Sequence, residues 1–274
     1  MQPPFQKRLS VGDGIIRESL SGDTDPAGAD KDRLEQQIVN TLMQYWQGQQ
    51  ERIIDRIRPK VPKDRKAVDL LAWLDNDKFW DEETRELIAV LMPFIVQGAE
   101  AGVALHAALI EPMGIAVDWT MPYTEASTWA RDHAGSMITK LEQTTRDKVG
   151  ADVAKWIDSG DSLPALEKTL RDSYAFDRKR AQLVAITETT ASYSGGELVA
   201  MKTLEDEGFF EYEKQWQTVQ DDIVCDICRP LQYDGTNAVN GSMGAWSLPN
   251  QSAFGPPAHP GCRCWMNTVP KVPS

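Results

Sequence analysis

The sequences VCDICRPL at residues 224–231 and GPPAHPGCRCW at residues 255–265 contain all four cysteines of the chain. The cysteines fall in two closely spaced pairs, Cys225-x-x-Cys228 and Cys262-x-Cys264. A Cys-x-x-Cys turn lets two thiolates face one tetrahedral ion, and a second close pair can complete a four-ligand site. We therefore predict a compact cross-linked module here, with the four cysteines as ligands of a structural zinc ion.

The loop between the two pairs, residues 229–261, has little apolar sequence with which to form its own core. Structural zinc contributes roughly 10–16 kcal/mol of apparent binding free energy in such small modules. One or two disulfides are an alternative, and four cysteines permit three pairings. Reduced buried thiols are another, because a bacterial cytosol keeps thiols reduced unless oxidation follows assembly and release.

His259 stands three residues before the second cysteine pair and is an alternative metal ligand. The interpretation in which it hydrogen-bonds the turn before Pro260 is favoured, because four sulfurs already suffice. A thioredoxin-like site is disfavoured, since no βαβ setting surrounds the Cys-x-x-Cys. A zinc deaminase is excluded, because its His-x-Glu precedes Pro-Cys-x-x-Cys, whereas here the order is reversed and no catalytic Glu follows the histidine.

The sequence before the cysteine pairs, from about residue 32 to residue 197, is predicted to be mainly helical. An apolar face begins near Asp32 and runs to Pro59 and Pro62, and a second helix is expected from about Asp81, with a kink at Pro93. Further helices are predicted at 124–149, 151–157 and 163–197, the last with a break near Tyr174. Gly98, Gly102 and the alanines between 99 and 108 predict a surface on which another helix approaches closely.

After Gly208, aromatic and β-branched residues in short runs are followed by turn formers such as Asp234-Gly235 and Asn240-Gly241. The predicted fold class is α+β, a mainly helical N-terminal body with a small strand-and-loop C-terminal Cys-rich module. The predicted organisation is a flexible arm at 1–30, a helical body at 31–200 and a Cys-containing module at 201–274.

The net charge and the hydropathy of the sequence limit its interaction with nucleic acid and with membranes. A net charge of -12 repels nucleic acid and anionic membranes from the molecule as a whole. The basic run from Arg52 to Lys66 is a local exception, for which a solvated helix end is favoured over a phosphate-binding patch. No secretory signal is recognised at the N-terminus, and the apolar stretch 88–99, which ends before Glu100, is interpreted as a buried helix too short to span a bilayer.

Three pieces of the sequence resemble the phage Mu F-like head morphogenesis proteins, a class of minor capsid proteins. The first is Ala185-Ile186-Thr187-Glu188-Thr189, where the family often has arginine at the second position. The second is Trp216 with Asp221-Asp222, Val224-Cys225-x-x-Cys228, Leu231 and Asp234-Gly235. The third is Pro256-Pro257-x-His259-Pro260-x-Cys262-Arg263-Cys264. The resemblance covers roughly residues 165–270.

The resemblance implies a virion protein present in several copies, associated with the portal or the major capsid protein and assembled in the bacterial host cytoplasm. It implies a role in head assembly or genome delivery, with no catalysis and no membrane, and contact with packaged DNA would be weak. The sequence itself also indicates no catalysis, because it contains neither a phosphate-binding Gly-rich loop nor a His-Glu-x-x-His motif.

Four further residues are structural candidates. Glu188 is a candidate anchor between the helical body and the module, and Trp216 is expected in the core. Asp221 and Asp222 are expected to cap and orient the Cys225 loop. The competing hypothesis is a metal-dependent hydrolase or nuclease, or an ejected effector, that uses these two acids with His259.

Overall fold

The computed structural model describes residues 7–11, 14–18, 25–60, 77–219, 224–249 and 251–271. Five α-helices lie in these ranges: α1 Gly28–Ile57, α2 Asp77–Ile110, α3 Thr120–Ser159, α4 Leu163–Arg171 and α5 Arg178–Asp206. The strands are β1 Lys7–Val11, β2 Gly14–Glu18, β3 Glu211–Gln217, β4 Val239–Asn240, β5 Trp246–Ser247, β6 Ser252–Ala253 and β7 Trp265–Lys271. The predicted α+β class is confirmed.

The helix limits differ from the prediction at the start of α2 and in the continuity of α3. Helix α2 begins at Asp77, so Asp81 lies inside it and does not cap it. Helix α3 runs through Gly150 without interruption, where two helices were expected. Glycine in a helix costs only about 1 kcal/mol relative to alanine, which a long packed helix tolerates. The predicted break near Tyr174 is confirmed, since a short 3-10 turn at Tyr174–Phe176 separates α4 from α5.

The strands form three small antiparallel sheets. Strands β1 and β2 pair with each other, as do β5 and β6, and the third sheet has the order β4-β3-β7. In this third sheet β3 is central and pairs along its whole length with β7, from Glu211 opposite Lys271 to Gln217 opposite Trp265. Alternate side chains of β3 point inward, which places Tyr212, Lys214 and Trp216 in the interior.

Contacts divide the chain into two compact units. The first comprises Met1–Gln37, Phe94–Asp132 and Leu183–Ser274, and the second comprises Ile38–Pro93 and His133–Gln182. The helices α1, α2, α3 and α5 each contribute residues to both units. The arm, body and module limits predicted above stay predictions, although Gly28–Asp30, counted with the arm, form the first turn of α1.

In the first unit, α2 and α5 touch backbone to backbone, as the small-residue surface predicted. A Cβ atom at Gly196 would lie 1.9 Å from the carbonyl oxygen of Ala99, and one at Gly102 would lie 2.2 Å from the carbonyl oxygen of Tyr193. A Cβ at Gly98 would overlap the Ser192 hydroxyl at 2.1 Å. Glycine is therefore required at these positions for the helices to pack.

One helix among the described residues, Asp77–Met113 with its 3-10 extension, is long and apolar enough to cross a membrane by length and composition alone. Of its most apolar window, 39% is buried in the protein. The core helix of a globular protein can be equally long and apolar, so these properties alone are weak evidence that the helix spans a membrane. One face of α2 is covered, since Leu87, Leu91, Ile95, Ala99 and Val103 are each at most 1% exposed.

The basic run Arg52–Lys66 lies partly outside the described residues, which end at Lys60 before resuming at Asp77. Within the described part, the Arg52 guanidinium donates to both carboxylate oxygens of Glu83 at 2.7 and 2.6 Å. Arg58 pairs with Glu167 at 2.9 Å, and Arg56 stacks over the ring of Phe79. These arginines are thus used in contacts within the second unit.

A buried carboxyl group lies between α1 and α3 in the second unit. Gln49 Nε2 donates to Glu142 Oε2 at 2.7 Å, whereas Glu142 Oε1 has no hydrogen-bond partner among the described residues. Burial raises the pKa of Glu142 to about 7. Folding therefore takes up a proton between pH 4.5 and 7, and this group makes the protein less stable as the pH rises through that window.

Replacing Gly196 with alanine is expected to destabilise the protein by about 1–3 kcal/mol, because the new methyl group overlaps the backbone of Ala99. The control is Gly135→Ala in α3, where nothing lies within 4 Å of an added Cβ. That variant should gain about 0.5–1 kcal/mol. Urea unfolding measures both, and equal stability of the two variants would contradict the close α2–α5 contact.

The Glu142→Gln variant should keep its stability between pH 5 and pH 8 better than the natural protein, by up to about 3 kcal/mol. An uncharged amide avoids the cost of ionising a buried carboxyl group. Urea unfolding at several pH values measures the difference. The exposed Glu207→Gln variant is the control, and an identical pH profile for all three proteins would show that Glu142 is not buried.

Candidate metal centre

Two tight turns bring the cysteine pairs together in the first unit. In the first, the amide nitrogen of Cys228 donates to the carbonyl oxygen of Cys225 at 3.1 Å and lies 3.4 Å from the Cys225 sulfur. In the second, the amide of Cys262 donates to the carbonyl oxygen of His259 at 3.1 Å, with Gly261 at φ +77°. The second pair ends where β7 begins, beside the end of β3.

Five candidate ligand atoms converge between these turns and form two triads that share Cys228. In the first triad, His259 Nε2 lies 3.1 Å from Cys225 Sγ and 3.2 Å from Cys228 Sγ. The second triad consists of Cys228, Cys262 and Cys264, with 3.7 Å between the sulfurs of Cys228 and Cys262. Within each triad all ligand atoms lie within 4.8 Å of one another, close enough to hold a metal ion.

His259 is placed so that each of its ring nitrogens serves one of the two roles that the sequence left as alternatives. Its Nδ1 lies 2.8 Å from the carbonyl oxygen of Pro260, and its Nε2 faces the two sulfurs of the first turn. A carbonyl oxygen only accepts, so Nδ1 carries the proton and Nε2 presents its lone pair to the sulfurs. Metal-binding histidines commonly have their other ring nitrogen held in this way.

All four cysteines are free thiols. The 3.7 Å between the sulfurs of Cys228 and Cys262 is far from the ~2.05 Å of a disulfide bond. Hydrogen bonds from Cys228 and Cys264 lower the pKa of Cys262 well below its usual value, while hydrogen bonding to Cys262 raises that of Cys228. The lowered pKa of Cys262 favours its thiolate, which is the form of cysteine that binds metal.

Two threonines of α5 hold the second turn. The amide of Gly261 donates to Thr187 Oγ1 at 2.8 Å, and Thr190 Oγ1 donates to the carbonyl oxygen of Cys262 at 2.9 Å. Thr190 is 3% exposed, so this hydrogen bond is shielded from water. The helix therefore fixes the backbone on both sides of Cys262.

A buried ion pair connects the same turn to α1. The Arg263 guanidinium lies 2.8 Å from Glu35 Oε2 and 3.6 Å from Asp32 Oδ1, and its side chain is 8% exposed. Burial raises the pKa of Glu35 to about 7, although the positive charge of Arg263 opposes the shift. Arg263 stands between two cysteines, so its ion pair and the sulfur cluster constrain one short segment from opposite sides.

Lys214 organises the loop that connects the two cysteine turns. This β3 residue is fully buried, and its Nζ donates to the carbonyl oxygens of Ser242, Gly244 and Phe254 at 2.7–2.8 Å. Burial lowers the pKa of its ammonium group to about 8. All three N–H bonds are used, so the lysine replaces the sheet hydrogen bonds that this irregular loop lacks.

Of the four structural candidates, Trp216 is fully buried and packs edge to face on Trp246, with the ring centroids 5.2 Å apart. Glu188 is also buried, on the same helix as the two threonines that bind the second turn. Asp221 and Asp222 lie outside the described residues. Sequence reasoning missed Thr187, Thr190, Arg263 and Lys214 as site residues, although the first and third stand within the motifs quoted above.

The segment that carries this geometry also matches known proteins. Residues 147–267 match the family described as "Phage Mu protein F like protein". Over those residues the chain is similar to phage Mu F-like proteins. The resemblance expected from the sequence is confirmed there, and the matched segment contains α4, α5, β3 and all five candidate ligands.

One curated relative is the "Uncharacterized protein YqbB" of Bacillus subtilis (strain 168), 25% identical over 156 residues. The alignment covers 54% of this chain and 49% of the relative, so the chain spans about half the length of this relative. No solved structure gives a significant match.

The Thr190→Val variant is expected to lose about 1–3 kcal/mol of stability, because the buried carbonyl oxygen of Cys262 loses its donor while the side-chain volume is kept. The matched control is Thr144→Val, since Thr144 is exposed and bonds only a carbonyl oxygen of its own helix. Thermal or urea unfolding measures both. If Thr190→Val were no more destabilising than the control, α5 would not hold the ligand turn.

Proposed function

We propose that this protein is a phage minor head protein that acts in head assembly or genome delivery, docked on the portal or on the inner capsid. The observation that carries the proposal is the Mu F-like match over residues 147–267, a segment that includes the whole cysteine and histidine cluster. The location would be the virion head, after assembly in the bacterial host cytoplasm. The match covers part of the chain, so the role of the whole protein is part of the proposal.

The module is proposed to be held by one structural zinc ion. Its support is the convergence of thiolate and imidazole ligands, which are the donors that zinc prefers in structural sites. The buried triad Cys228, Cys262 and Cys264 offers no place for a substrate, because each of these residues is at most 6% exposed. A closed site of this kind stabilises a fold and does not activate water.

The zinc-held module is proposed to act as a rigid adaptor. Three large apolar side chains of the module are exposed to solvent: Ile227 by 39%, Met243 by 63% and Phe254 by 45%. Each belongs to a loop that the cluster or Lys214 holds in place. A fixed apolar surface is suited to docking on portal or major capsid subunits, whereas a net charge of -12 restricts contact with packaged DNA to local patches.

Deletion of the gene from the phage that encodes this protein tests the assignment. Purified mature heads of the parent phage are expected to contain the protein in several copies, and the deletion should lower the yield of infectious particles. Supply of the natural protein from a plasmid should restore the yield. Absence of the protein from purified heads, together with normal infectivity of the deletion phage, would overturn the proposal.

Metal analysis of the purified protein is expected to find one zinc ion per chain. Cys228→Ser should lose the zinc and the folded module, because Cys228 belongs to both triads. A strong chelator should unfold the module of the natural protein in the same way. Elemental analysis and circular dichroism measure these effects, with the exposed Asp226→Asn of the same turn as control. A folded, zinc-free natural protein would refute the zinc site.

A further inference from the structure

The C-terminal part of α2, with its 3-10 extension, carries an apolar strip that faces solvent in the first unit. We propose that this strip binds a cationic amphipathic helix of another protein, whose lysines or arginines pair with carboxylates beside the strip. The inference goes beyond the module described above and depends neither on zinc nor on the exposed loops of that module. The α2 strip consists of Ala101, Ala104, Leu105, Ala108, Leu109 and Pro112.

The strip lies opposite the face that α2 uses for packing. On the packing face, Ala99, Val103 and Ile110 are at most 1% exposed, and Gly102 lies against α5. The strip residues recur at spacings of three and four, which places them together on the other side of the helix. Four of them are exposed, and the other two are half-buried. One face of this helix is therefore core, and the opposite face is apolar surface.

The shape of the strip suits a helix. Half of its residues are alanines, so a partner helix can approach the α2 backbone closely. At its C-terminal end Leu109 and Met113, four positions apart, are each 40% exposed and form a raised edge. A helix with apolar residues at i, i+3, i+4 and i+7 fits against such a surface. Methionine adapts its shape to the side chains it meets, which favours a docking role for this edge.

The charges around the strip select the partner. The sequence contains no Lys or Arg from residue 86 to residue 130. Burial lowers the pKa of His106 to about 4, so this histidine is uncharged at neutral pH. Positions 100 and 111 are close to three helical turns apart, so their carboxylates lie along one edge of the strip. The carboxylates of this part of the unit are Glu100, Glu111, Asp118 and Glu125.

These four carboxylates have no cation of their own. Glu100 Oε1 accepts a hydrogen bond from the Ser127 hydroxyl at 2.8 Å. Asp118 Oδ1 accepts one from the amide of Thr120 at 2.9 Å. Within the described parts of the chain, none of the four forms an ion pair with a lysine or arginine. Basic side chains of a partner would therefore meet negative charge that the protein itself leaves unpaired.

The same charges disfavour a membrane as the occupant. Helix α2 is apolar enough to cross one by composition, but a helix that lies on a membrane commonly carries Lys or Arg on its polar face. Anionic headgroups and nucleic acid are both repelled by the carboxylates beside the strip. A positively charged protein helix matches both the apolar strip and its acidic edge.

Fluorescence anisotropy with the full-length protein tests the docking. The probe is a labelled helical peptide with leucines at i, i+3, i+4 and i+7 and lysines elsewhere, and its counterpart carries glutamates in place of the lysines. The lysine peptide should bind at least about tenfold more tightly than the glutamate peptide, because like charges repel. Circular dichroism establishes that each variant used below is folded.

The Ala108→Gln variant should bind the lysine peptide about tenfold more weakly, because a larger polar side chain then stands in the middle of the strip. The matched control is Ala151→Gln, at an exposed alanine of α3. Glu111→Gln should weaken binding about threefold at low salt and less at high salt. Its control is the exposed Glu207→Gln. Both control variants should bind as the natural protein does.

Several results would overturn the inference. One is equal binding of the two peptides, and another is equal binding of the lysine peptide by Ala108→Gln and Ala151→Gln. Binding to phosphatidylcholine or phosphatidylglycerol vesicles that Ala108→Gln abolishes would assign the strip to a membrane instead. A dimer in sedimentation that Ala108→Gln dissociates would assign it to a second copy of this chain. Should Ala108→Gln not fold, Leu109→Gln replaces it in each comparison.

Discussion

The need to pair buried backbone groups outside regular sheets constrains the whole C-terminal module. Between β3 and β7 the chain forms only two-residue strands in its described parts, so side chains must satisfy the backbone. Lys214 donates to three carbonyl oxygens, the Glu205 carboxylate accepts from the amide of Ser242, and Thr190 donates to Cys262. The module is therefore a set of loops held at a few points, and the sulfur cluster is one of these points.

The loops of the module also depend on the helices to pair their buried backbone groups. Its second cysteine turn is fixed by hydroxyl groups of α5 and by carboxylates of α1, and the loop at Ser242 is bound by Glu205 near the end of α5. This explains why the Mu F-like match extends beyond the cysteines and includes the whole of α5. A zinc ion in such a site would stabilise the position of the loops on the helix as well as the loops themselves.

The sequence predicts the features that depend on local pattern. Cysteine spacing located the cluster, Gly98 and Gly102 predicted the close helix contact, and the turn formers after Gly208 predicted an irregular module. It did not predict contacts that depend on tertiary position. A lysine inside a strand ordinarily indicates an exposed face, and only the fold shows that Lys214 points inward. Arg263 pairs with a residue 228 positions away, for which no local signal exists.

That separation has a consequence for the order in which the protein is made. Glu35 leaves the ribosome 228 residues before Arg263. Until residues 263–271 have been synthesised, the Glu35 carboxylate of α1 lacks the Arg263 guanidinium, and β3 lacks the strand that pairs along its length. A chain that ended before residue 263 would therefore leave both Glu35 and β3 without these partners.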